Sequence, residues 1–133
     1  MFSDVKQTRT IGLSITDKER CQAIMDSSND TFKELRHFYL FCMSLSIYIN
    51  KDSLPVRKEL KRDSIWHKAT IDNDGVLEKT LQVLVPTSMN ENSFMEVVSR
   101  HAEWGLDYLY DYFESVGGEF FIEEVFEQIG YDG

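Results

Sequence analysis

The side chains that could do chemistry are few and scattered along the 133 residues. His101-Ala102-Glu103 is an H-x-E fragment, in which a histidine could ligate zinc and a glutamate could move a proton. The P-C-x-x-C that would supply the remaining ligands is missing. Helical spacing puts His101 on an apolar stripe, where a hydrogen-bonded core histidine is expected instead. His37 and His67 have no second ligand at metal spacing. Asp72, Asp74 and Glu78 resemble the start of a calcium loop, yet its fifth and twelfth positions fall on Val76 and Val83. Acids enriched at a helix N-terminus, favoured by the helix dipole, are the expectation there. Cys21 and Cys42 lie on apolar stripes and read as buried, reduced thiols. No glycine loop could cradle a phosphate. The expectation is a non-enzymatic protein with no catalytic residues, no metal and no cofactor.

Charge is the stronger signal. The net charge of −9 divides into +3 over residues 1–68 (12 Lys/Arg against 9 Asp/Glu) and −12 over residues 69–133 (2 against 14). The cations concentrate in Arg57, Lys58, Lys61, Arg62 and Lys68. Such a patch can neutralise phosphates, or it can hold the two halves of the fold together. The acids at Glu96, Glu103, Asp107, Asp111 and Glu114 read as a solvated helix face.

Local signals place these groups on a mainly α fold, a small helical domain with one short N-terminal strand leading into a strand-helix-helix unit. Thr8 to Ile15 alternates, with Ile11, Leu13 and Ile15 on one face. Capping boxes at Thr16/Glu19, Thr31/Glu34 and Ser93/Glu96 predict helices over 17–28, 31–49 and 93–115. A shorter helix is expected over 76–84, ending before Pro86. Gly117-Gly118 close the longest helix with the left-handed geometry that helix ends favour. Phe120, Phe121, Val125, Phe126 and Ile129 form the inward face of a last amphipathic segment. The organisation read from this is one domain over 1–133, comprising the strand-helix-helix unit (1–50), a basic connector (51–71) and an acidic helical part (72–133). Phe38, Leu45, Val98 and Leu109 are expected to be nearly buried. Phe38, Phe41, Leu45 and Tyr48 lie on a helix apolar nearly all round, which predicts a central element or a protein interface. No apolar run reaches a membrane span of about 18 residues, and no secretion leader is visible. A cytoplasmic location is expected.

The order strand, helix, helix within 8–49 resembles ribbon-helix-helix proteins. In those, strands from two subunits pair into a ribbon that enters the DNA major groove. That likeness implies that Lys6, Thr8 and Thr10 face DNA and that Thr31 sits near a phosphate. Two blocks, FKELRHFYLFCMSLSI (32–47) and HAEWGLDYLYDYF (101–113), resemble signature segments of a small accessory family. That family is encoded beside bacterial DNA phosphorothioation (Dnd) genes and other anti-phage systems. The resemblance implies an accessory or regulatory subunit bound to a larger protein of a defence complex. The alternatives are a dimeric DNA-binding regulator using the basic patch and an acidic inhibitor that mimics DNA.

Overall fold

The computed structural model describes residues 10–27, 32–118, 124, 125 and 127. Lys6, Thr8, Thr31, Phe120, Phe121, Phe126 and Ile129 lie outside them. The described chain runs β1 (Thr10–Leu13), α1 (Ile15–Ser27), α2 (Leu35–Asn50), an irregular stretch over 51–62, and β2 (Asp63–His67). It continues through α3 (Lys68–Ile71), α4 (Val76–Leu84), α5 (Pro86–Glu91) and α6 (Phe94–Ser115). The fold is mainly α, with an N-terminal strand leading into helices.

In β1 the alternation holds, with Ile11 and Leu13 buried beneath the half-exposed Thr10 and Gly12. The strand stops two residues earlier than its pattern, because Ser14 turns the chain. The Ser14 Oγ accepts from the Asp17 N–H at 3.1 Å, and its carbonyl accepts from the Lys18 N–H at 2.9 Å. Ser14 thus takes the cap expected at Thr16. Ile15, expected to face inward, sits on the first turn of α1 and is 69% exposed.

A second strand is the main addition to the expected architecture. Residues 63–67 belong to the stretch read as a basic connector, yet Ile65 and Trp66 suit a pleated, half-buried surface. The strand pairs antiparallel with β1, Thr10 opposite His67 and Gly12 opposite Ser64. The register slips between Ile11 and Gly12, leaving Ile65 as a bulge. Gly12 is required at that point, since a Cβ there would overlap the Asp63 carbonyl.

The centre of the molecule is α2 against α6. Phe38, Tyr39, Cys42 and Leu45 of α2 meet Val97, Val98, Ala102, Leu106 and Leu109 of α6, and the ribbon adds Ile11, Leu13 and Trp66. Phe38, Val98 and Leu109 are 0% exposed and Leu45 is 4%, as expected. The two helices touch backbone to backbone at Gly105, where any Cβ would run into the Cys42 carbonyl.

Capping explains most of the remaining boundaries. The Asp72 carboxylate accepts from the Leu77 and Glu78 amides at 3.0 and 2.9 Å, and Asp74 accepts from Val76 at 3.1 Å. These are acids at a helix N-terminus, as read from the sequence. Pro86 ends α4 but also opens α5, where its missing N–H costs nothing. The Asp52 carboxylate caps α5 from a distance, accepting from the Thr87 and Ser88 amides at 2.8 and 2.9 Å. Burial would raise the Asp52 pKa, but these bonds from Ser88 and Thr87 outweigh it and hold it at about 2. Ser93 caps α6 through Glu96 N–H at 3.2 Å, as the third capping box predicts. Gly117 and Gly118, at φ 79° and 83°, close it, and the Gly118 N–H returns to the Phe113 carbonyl at 2.8 Å. No helix among the described residues is long and apolar enough to cross a membrane.

Candidate functional site

Positions 96, 100, 103 and 107 of α6 are three and four residues apart, so their side chains share one face. The irregular segment 55–62 lies along that face as a strap and meets it with its cations. Arg57 Nη1 donates to Glu96 at 2.6 Å, and Lys58 Nζ sits 2.8 Å from Asp107. Arg62 grips Glu103 with two bonds, Nε at 2.5 Å and Nη2 at 2.7 Å. Arg100 completes the seam by donating its Nε to the Pro55 carbonyl at 2.6 Å. On the far side Arg20 of α1 reaches Asp107 at 3.0 Å and lies over the Tyr110 ring.

Four of the five cations of the basic patch therefore pair with the chain's own acids. Lys68, the fifth predicted cation, pairs with Glu78 at 2.7 Å and covers the Phe94 ring. Only Lys61 of the five is exposed and without an ion pair among the described residues. Glu103, expected in solvent, is 3% exposed, because the strap covers it. Its bonds, first of all, raise the Arg62 pKa further above the ordinary arginine value. Tyr39 lies near this pair, fully buried. Burial, reinforced by the Glu103 charge, lifts its hydroxyl pKa well above 10.

The other predicted contact residues fall as follows. Thr10 is on the ribbon's outer face, where its Oγ1 is 3.1 Å from the Ser64 Oγ of β2. Of the four interface candidates, Phe38 and Leu45 are core side chains of the chain itself and not interface residues, because α6 already covers them. Phe41 is half-buried with its ring 5.1 Å from Phe32, and Tyr48 is 56% exposed beneath the Lys51 ammonium. His101 is a core histidine, as expected. It is 0% exposed, and its Nδ1 lies 2.8 Å from Ser46 Oγ, which Asn50 Nδ2 also approaches at 3.0 Å. Burial, with Arg100 adding to it, lowers the His101 pKa to about 4. Cys21 and Cys42 are buried free thiols. Burial raises Cys21 to about 12 and Cys42 well above its ordinary value, so neither offers a thiolate near neutral pH. Among the described residues no group of three His, Cys, Asp or Glu converges to hold a metal ion.

Among the described residues two surfaces bear on binding. A cleft of about 330 Å³ opens where strap, ribbon and α6 meet, lined by Thr10, Arg57, Arg62, Ser64, Ser93 and Glu96 among others. The second is the outer side of α4. Its apolar arc continues from buried Leu81, through Leu84 (56% exposed), to Val76 (58%) and Val83 (79%). The core needs only one edge of that arc.

Fold and surfaces together define a small helical domain with an intramolecularly neutralised basic strap. No protein-family model matches the chain, and no curated protein or solved structure is significantly similar to it.

Proposed function

We propose that this chain works by binding another protein, as a non-enzymatic accessory or regulatory subunit. The observation that carries the reading is the outer arc of α4. Val76, Val83 and Leu84 stand 56–79% exposed on one side of a nine-residue helix. Clustered apolar groups at a surface favour protein contact, whereas scattered ones do not. The neutralised strap supports the same choice over nucleic acid. Four of the five cations that could release counterions from DNA already hold carboxylates, and Glu96, Glu103 and Asp107 are likewise lost to any phosphate-like acidic array. The resemblance of 32–47 and 101–113 to accessory proteins encoded beside Dnd systems directs the search for the partner to a bacterial anti-phage complex.

Co-expression with the proteins encoded by its neighbouring genes tests this. A stable complex should co-elute on size exclusion, and Val83→Asp with Leu84→Asp should abolish it while Arg57→Ala leaves it intact. Failure to form any complex, together with tight, salt-sensitive binding of duplex DNA, would reverse the reading.

A further inference from the structure

The cleft between strap, ribbon and α6 has a surplus of unspent donors, and the surplus identifies what it would hold. Arginine carries five N–H donors and each hydroxyl one. Arg62 has used four, two on Glu103 and one each on the Leu60 and Lys58 carbonyls, so one N–H remains. Arg57 has used one, on Glu96. The Thr10 and Ser64 hydroxyls share a single bond, which leaves one of their two protons unspent. Ser93 Oγ accepts from Glu96 N–H and keeps its own proton. The acceptors are fewer: both Glu103 oxygens are held by Arg62, Glu96 Oε2 is held by Arg57, and Glu96 Oε1 is left as the free carboxylate oxygen of the cleft among the described residues. Glu96 also has Arg100 Nη1 at 3.9 Å, so it would keep a cationic neighbour if Arg57 turned away. Among the lining residues Arg57 and Arg62 stand against Glu96 alone, which leaves one net positive charge at the cleft of a chain whose total is −9.

We infer that this cleft is a binding site for the phosphate or carboxylate of a small molecule. The oxyanion would take the free edge of Arg57, the remaining Arg62 N–H and the Ser64/Thr10 proton. Charge-assisted bonds of this kind are the strong ones, and an arginine fork suits a planar or tetrahedral oxyanion. About 330 Å³ exceeds what a lone oxyanion fills and lies at the low end of the range of about 300–1,000 Å³ seen for small-molecule pockets. The site is separate from the outer face of α4, so it stands or falls independently of the proposed protein contact.

Titration of the full chain with inorganic phosphate, followed by amide NMR, tests the assignment, with sodium chloride at matched ionic strength as the control. Saturable shifts at Gly12, Ser64, Met95 and Ser99 are expected. Arg57→Gln should weaken phosphate about tenfold, the order of one charge-assisted bond, and Ser64→Ala should weaken it by less. Each variant's unfolding midpoint is recorded to show that it is folded. Because Ser64 is exposed, Ser64→Ala keeps the test open should Arg57→Gln not fold. Shifts that chloride reproduces, that never saturate, or that persist unchanged in a folded variant overturn the assignment. A duplex DNA arm distinguishes the source. Stronger shifts at these amides from duplex than from free phosphate would overturn the small-molecule reading.

Discussion

The Arg62 guanidinium and the Glu103 carboxylate form a two-bond ion pair across 41 residues of sequence, with side chains only 13% and 3% exposed. A pair this dry is asymmetric in its consequences. Its formation contributes little net stability, since desolvation offsets the attraction, but loss of one partner strands a buried charge. Arg62→Ala or Glu103→Ala should each destabilise the chain by about 3–5 kcal/mol. The double replacement Arg62→Met, Glu103→Leu should restore most of that. Urea unfolding of the three variants checks it; a double variant as weak as the singles would show that the pair itself holds the strap.

The crossing of α2 and α6 rests on Gly105. Gly105→Ala should cost about 1–3 kcal/mol by forcing the helices apart at Cys42. On an exposed helix the same change would stabilise, so the sign alone tests the contact. A rise in the thermal midpoint would contradict it.

His101 makes stability depend on pH in a defined window. Its folded pKa, about 4, lies below the ordinary value of 6.5. Between these values the unfolded chain binds the proton and the folded chain does not, so stability falls as pH drops. The contribution, on the order of 3 kcal/mol, is complete above pH 6.5 and lost by about pH 4. Asp52 acts lower, between its ordinary 3.8 and about 2. His101→Gln should flatten the upper window only. An unchanged slope there would mean that other groups titrate in it.

Leu81 and Val83 share α4 but differ in role. Leu81→Ala should cost about 2–5 kcal/mol as a core deletion. Val83→Asp should stay within about 0.5 kcal/mol of the parent. Equal losses would show that the outer arc is covered in solution, and differential scanning calorimetry at two protein concentrations would show whether by another copy.

How much the sequence disclosed varies with the range of the interaction. Helix α4 and the Ser93 cap lie within a few residues of the signals that set them, and both appear where the pattern puts them. The same holds for the Gly117-Gly118 stop and the buried stripe of α6. Ser14 and Thr16 are both competent caps, and only the paired strand ahead of them decides between the two. Strand β2 was hidden because cations dominate its neighbourhood, and its stability comes from β1, 50 to 57 residues away in their pairing. Glu103 read as solvated for the same reason. Its place on the helix is local information, whereas the strap that buries it is not. The cleft lies beyond any local pattern, since it joins Thr10, Arg57, Ser64 and Ser93 from four separate stretches.

The internal use of the strap's cations fixes how the protein looks from a distance. A sequence with a dense basic block folds so that approaching molecules meet many exposed acids that hold no ion pair among the described residues, among them Glu19, Glu59, Asp111 and Glu114. The far field is that of a polyanion. Such a field would draw in and orient a partner with a cationic face before contact, and would oppose the approach of a polyanion. If the proposed contact at α4 forms with such a partner, its association rate should fall as salt shortens the Debye length toward about 8–10 Å, while its dissociation rate changes little.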